Sequence, residues 1–277
     1  KGVHVVWEFL FHAEMAEVAR AVTGASNEKS RLTGKQSTYD PELARQGTQF
    51  LQSHQDLKRD FIVKVYSILT TQILVTAGFA GLCCGYEPLQ KQILGFFMKS
   101  PTGFMVGFLI VDIACICALM YNKDKYPLNF GLLSIFTLCN ALYIGIICAA
   151  YAGAGKGNVV AAAGGTTALI FVLLTGYVKW SGRDFSFMGP FLFVALMANV
   201  LFGLVCWFFA LGAAMFAYHV FGVLIFSAYI IYDTDQICNR TDLEDMDTGN
   251  AIIGAVDLYL DVINLFLHLL AIFDRFS

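Results

Sequence analysis

Charge is what this sequence has least of. Lys, Arg, Asp and Glu make up 14% of its 277 residues, against 57% apolar residues, and the mean hydropathy is +0.64. A soluble domain carries about a quarter of its residues charged, so the deficit excludes an ordinary globular domain. The apolar runs also lack the apolar–polar alternation of barrel strands, which excludes a membrane β-barrel. The eight cysteines include no Cys-x-x-Cys pair and no finger spacing, and inside apolar runs they act as small apolar residues. No Gly-x-Ser-x-Gly and no His-Glu-x-x-His occurs, so neither enzymatic activity nor a cofactor is expected. Gly153-Ala-Gly-Lys-Gly157 lacks the phosphate-loop spacing and reads as a turn. The last span has no mid-helix Lys for a retinal link, and the third lacks the Asp/Glu-Arg-Tyr signature of common receptors. No nucleic-acid partner is expected; the partner the composition demands is the lipid bilayer.

What the chain does contain is a series of apolar stretches near the 20 residues that a helix needs to cross a bilayer. Residues 65–86, 126–155 and 157–178 are uncharged, and 185–232 is uncharged for long enough to make two spans with a tight turn at Leu211–Gly212. Two more stretches contain acids: residues 103–121 carry Asp112, and 250–273 carry Asp257 and Asp261. The expected fold is therefore all-α, a seven-transmembrane-helix bundle over residues 61–277. Residues 1–60 form a polar tail, with a short helix over Trp7–Val22 and a mobile segment over Ser26–His54. Glu8, Glu14 and Glu17 break up any signal-peptide core.

Basic residues divide unevenly between the two ends. Thirteen lie in the tail and in the loops at Lys123–Lys125, Lys179–Arg183 and Arg240; Lys91, Lys99, Lys156 and Arg275 lie on the other side. The positive-inside rule makes the N-terminus cytosolic and the C-terminus lumenal. The sequon Asn239-Arg240-Thr241 is then cytosolic and stays unmodified.

Ionisable groups inside a span are costly and face a bundle interior or a wet cavity. Asp257, Asp261, Asn264 and His268 are spaced by four, three and four residues, which aligns them on one face of the last helix. The remaining faces are apolar and lipid-compatible. Asp261 lies about 15 Å from the cytosolic start of that helix. Asp233, in Tyr229-Ile-Ile-Tyr-Asp-Thr-Asp-Gln236 at the end of the sixth span, can approach it if the two helices pack antiparallel. Two carboxylates that close share a proton, which makes the pair a pH-sensitive latch. Asp235 reads as an interfacial acid. Lys123, at the cytosolic end of the second span, is placed to reach Asp233 and hold that mouth shut. Thr137 and Asn140 read as packing.

These residues carry a resemblance to the transmembrane Bax inhibitor motif family, in its lifeguard-type branch, over about residues 58–274. The carriers are Arg59-Asp-Phe-Ile-Val-Lys-Val-Tyr-Ser-Ile-Leu-Thr-Thr-Gln72, Tyr126-Pro-Leu-Asn129 with Phe136-Thr137, and Arg183-Asp-Phe-Ser-Phe-Met-Gly-Pro190. They continue in Tyr232-Asp-Thr-Asp-Gln236 and Leu258-Tyr-Leu-Asp-Val-Ile-Asn-Leu-Phe266. The resemblance implies a seven-helix bundle that leaks calcium from the endoplasmic reticulum or Golgi and suppresses apoptosis. It puts the family's pH-sensing aspartates at Asp233 and Asp261, where permeating calcium would bind transiently. It makes Asp112, Lys123, Asp257, Asn264 and His268 accessory or pore-lining. Where many relatives have a Glu in the third helix, this chain has Asn140, and Asp257 is an acid that relatives often lack. Two functions stay open: a calcium leak channel, or a non-conducting scaffold that acts through apoptosis-related membrane proteins.

Overall fold

The computed structural model describes residues 41–209, 211–239 and 246–277. The helices are α1 (Pro41–Gly85), α2 (Glu87–Phe97), α3 (Pro101–Asn122), α4 (Leu128–Gly153), α5 (Gly157–Ser181), α6 (Gly189–Phe208), α7 (Gly212–Cys238) and α8 (Thr248–Asp274), with a 3-10 turn at Ser186–Met188. There is no strand among the described residues. All of these helices but α2 are long and apolar enough to span a membrane, seven in total, as the apolar runs require. The turn between α6 and α7 falls at Leu211, where the uncharged stretch was divided.

Helix α8 is the axis of the bundle. It packs against α1, α4, α5 and α7, while α3 packs on α4 and α6 on α7 at opposite edges. The lipid-compatible faces of α8 are enclosed by protein: Leu258, Tyr259 and Leu265 are fully buried. With no water to satisfy it, an inward polar stripe is safest on a helix surrounded on every side. The core around it combines Phe61, Val65 and Leu69 of α1 with Phe136 of α4 and Ile252 and Leu258 of α8.

Two elements depart from the sequence reading. Helix α1 starts at Pro41, so 41–54 is helical rather than a mobile segment. At 45 residues it is about 68 Å long, roughly twice the hydrocarbon thickness, and its charged first half must project beyond the bilayer. Helix α2 has no counterpart among the expected elements. It lays Leu89, Ile93 and Leu94 inward, and Gln90 Nε2 donates to the Ala149 carbonyl at 3.1 Å. The expected helix at Trp7–Val22, and Arg240-Thr241 of the sequon, lie outside the described residues.

Candidate functional site: a column of acids and histidines between α7 and α8

Two glycines mark the register of α7 on α8, one at a close approach and one in ordinary contact. Gly222 faces the His268 ring, and Gly254 faces Ile237. A Cβ on Gly222 would overlap the His268 ring, so only glycine lets that ring lie against α7. Counting along antiparallel helices from these two points places Asp233 level with Asp257–Leu258. Asp261 lies level with Tyr229–Ile230, about 6 Å or one turn deeper. Asp233 and Asp261 thus share one interface, one turn apart. Asp261 is fully buried, Asp233 is 9% exposed, and Asp257 is half-buried. Asn264 turns back on its own helix, donating from Nδ2 to the Leu260 carbonyl at 2.7 Å.

Farther along the same interface, His268 meets His219, with the two Nδ1 atoms 3.0 Å apart. For these atoms to bond, one ring must carry the proton at Nδ1 and the other must leave Nδ1 bare. Phe226 stacks on His268 at 5.6 Å, and Tyr218 meets it edge-on at 5.1 Å. His219 is absent from the sequence-derived set. It is a single His in a long uncharged run, and only the helix pairing shows that it faces His268.

The end of the bundle that carries the basic loops is held by polar clasps. Asp235, expected at the interface, is fully buried. It accepts the backbone N–H of Phe185 at 2.9 Å and the side-chain amide of Asn239, tying α7 to the loop after α5. In that loop Asp184 accepts both the N–H and the hydroxyl of Ser186, which hold its carboxyl below the usual range. Lys123 does not reach for Asp233 as expected: its Nζ donates to Asn250 Oδ1 at 2.8 Å, at the start of α8. The reason is local. Asn129 Nδ2 donates to the Lys123 carbonyl at 2.7 Å and fixes the α3–α4 loop beside Gly249, where Asp124 also lies. Asp247 caps α8 by accepting the Asn250 N–H at 2.6 Å. At the opposite end, Lys156 pairs with Asp274 at 2.6 Å.

A second polar layer runs on the other side of α8. Thr76 and Tyr259 share a hydrogen bond of 2.8 Å, and Gln72 donates to Thr137 at 3.2 Å. Half-buried Asp112 accepts from Asn140 Nδ2 at 2.7 Å, so Asn140 is the partner of an acid rather than a packing residue. No group of three or more His, Cys, Asp or Glu side chains able to hold a metal ion occurs among the described residues.

Comparison with known proteins decides the affiliation. The profile of the family described as inhibitor of apoptosis-promoting Bax1 (Bax1-I) matches residues 58–277. The chain belongs to the Bax inhibitor family. It is 37% identical over 224 residues to the Arabidopsis thaliana protein LIFEGUARD 4, covering 79% of this chain and 85% of the relative. It is 36% identical over 223 residues to LIFEGUARD 2 of the same plant, covering 78% and 88%. A Golgi anti-apoptotic protein of Vaccinia virus (strain Lister) is 33% identical over 218 residues, covering 79% and 86%. The matched region of the Bax inhibitor family contains every polar residue of the α7–α8 column, both clasps at the basic end and the second layer around Tyr259.

Chemically, the column can carry protons. It places two buried carboxylates within one turn of each other and two imidazoles in direct contact, along a single interface between packed helices.

Proposed function

We propose that this chain is a calcium leak channel of an intracellular membrane, gated by protons at Asp233 and Asp261, and that it contributes to calcium homeostasis and restrains apoptosis. The observation that carries the reading is Asp261, a fully buried carboxylate one turn from Asp233 in the interface of the central helix. A buried acid in a membrane span is costly to keep and marks an ion or proton pathway. Calcium takes oxygen ligands, and carboxylates at a constriction supply them transiently. With the pair sharing a proton the helices stay closed; loss of that proton sets like charges against each other and parts α7 from α8. The clasps at Asp235 and Lys123 keep the loops in place while the interface opens. Asp112, bonded to Asn140, is an accessory acid at the edge of the bundle.

The excess of Lys and Arg at the α3–α4, α5–α6 and α7–α8 end supports a cytosolic N-terminus and a lumenal C-terminus. The name of the viral relative, a Golgi anti-apoptotic protein, supports a Golgi location and the role in cell death. The test is calcium flux in liposomes as a function of pH, for the full chain and for Asp233→Asn and Asp261→Asn. Loss or displacement of the pH response in both variants supports the reading. Absence of flux from well-folded wild-type protein, with a cell-death effect exerted through a bound partner, would identify a scaffold instead.

A further inference from the structure

Three cations gather where α1, α5 and α7 meet at the basic end of the bundle. Deeper in that corner the hydroxyls of Tyr66, Thr175 and Thr234, one from each helix, come together and are buried. Lys58 lies two turns before Tyr66 on α1, Lys179 one turn beyond Thr175 on α5, and Cys238 one turn beyond Thr234 on α7. The three helices therefore open outward into a ring of these residues, and the charges of Lys58 and Lys179 both bear on the Cys238 thiol. Arg183 joins them from the loop after α5, which the bond from the Phe185 N–H to Asp235 holds against the same end of α7.

The cations at this end of the bundle are of two kinds. Lys123 donates to Asn250, and Lys125 donates to Asn122 and lies over the Tyr121 ring. The side chains of Lys58, Lys179 and Arg183 make no hydrogen bond or ion pair among the described residues. Two acids at this corner are committed elsewhere, Asp235 to Phe185 and Asn239, and Asp184 to Ser186. Along their helices Lys58 stands about 40 Å from Gly85, and Lys179 about 33 Å from Gly157. The hydrocarbon is about 30 Å thick, and about 40–45 Å with its headgroups, so both ammonium groups reach the headgroup layer. Beside Lys179, the Trp180 ring lies back along Gly176 and is 86% exposed, and Phe187 is 78% exposed. Aromatic rings at that level sit in the lipid interface.

We propose that Lys58, Lys179 and Arg183 seat the headgroup of an anionic phospholipid. Charge complementarity selects this occupant: three cations without a counter-ion among the described residues face a layer whose anions are lipid headgroups. The guanidinium can grip a phosphate with two parallel hydrogen bonds, and the two ammonium groups add point charges beside it. Trp180 and Phe187 offer the acyl chains an apolar surface next to the headgroup. The buried hydroxyls below leave no way deeper, so the anion stays at the membrane surface. A lipid seated there ties the end of α7 to α1 and α5.

The experiment uses the full chain with Trp7→Phe and Trp207→Phe, which leaves Trp180 as the only one of its three tryptophans. This parent protein is reconstituted in mixed phosphatidylserine and phosphatidylcholine vesicles, with bromine on the chains of one lipid or of the other. Bromine quenches tryptophan only at short range, so the two mixtures together give the lipid preference beside Trp180. One basic residue near an anionic surface strengthens binding about fivefold. The expected preference for phosphatidylserine is about fivefold or more in the parent protein. It should fall below about twofold when Lys58→Gln and Lys179→Gln are added. Lys64→Gln with Lys125→Gln removes the same charge from the same end and should leave the preference unchanged within about twofold. No preference in the parent protein, a preference that survives Lys58→Gln with Lys179→Gln, or an equal loss in the Lys64 and Lys125 control would overturn the proposal.

Discussion

Asp235→Ala isolates what the basic end of the bundle contributes. The wild-type carboxylate is fully buried and accepts the Phe185 N–H at 2.9 Å together with the Asn239 amide. Hydrogen bonds to a charged group contribute about 1.5–3 kcal/mol each, and a buried donor left without a partner costs about 1–3 kcal/mol. The two effects overlap, since the lost bond and the orphaned donor are the same Phe185 N–H. A loss of about 2–4 kcal/mol in the local stability of this loop is therefore expected. At about 1.4 kcal/mol per tenfold, that is roughly a 30- to 800-fold rise in loop opening. Hydrogen exchange read by mass spectrometry on peptides spanning residues 182–188 measures it directly, because the Phe185 amide is itself the donor. Asp235→Asn keeps an acceptor oxygen and should lose about half as much. Exchange unchanged within twofold in Asp235→Ala would refute the assignment of Asp235 as the tie between α7 and the α5–α6 loop.

Other outcomes follow from the same geometry. Gly222→Ala drives a methyl group into the His268 ring and should destabilise the protein in detergent by about 1–3 kcal/mol. The double variant with His268→Ala should recover most of that loss in a thermal-stability assay. Lys123→Met removes the bond to Asn250 and should raise exchange at the start of α8 while leaving the Asp233 region unaltered. If Lys123 instead serves Asp233, the change will appear at the end of α7. Asp184, held below the usual carboxylate range by Ser186, stabilises its turn at neutral pH. That contribution is present above the pKa of an unfolded Asp and is lost as pH falls through the lower folded value. Exchange of the Ser186 amide, corrected for intrinsic rate, should rise on acidification below about pH 4 in wild type and be flat in Asp184→Asn.

The spans were legible because hydrocarbon imposes a length on apolar runs, and the same reasoning divided the long uncharged stretch at Leu211–Gly212. The polar stripe of α8 was legible because helical spacing alone brings Asp257, Asp261, Asn264 and His268 to one face. What escaped depended on how helices turn towards one another. Spacing along α8 says nothing about its being surrounded by four neighbours, so Tyr259 counts there among the lipid-compatible faces although it bonds Thr76. His219 had no companion within its own span, and its companion belongs to α8. Asp235 looked interfacial because its position near a helix end was visible and its partner, a backbone N–H fifty residues earlier, was not. Lys123 was sent to the nearest attractive charge, whereas the bond from Asn129 to its own carbonyl holds the loop against α8. The affiliation with the Bax inhibitor family was carried by contiguous stretches around the acids, which need no tertiary information to be recognised.

The central claim concerns the acid pair between α7 and α8. Calcium flux through the purified full chain in liposomes, measured across pH for wild type, Asp233→Asn and Asp261→Asn, tests it most directly. The account predicts flux in wild type that increases as pH rises, and a response abolished or displaced in each variant. Wild-type flux with its pH dependence preserved in both variants would contradict it.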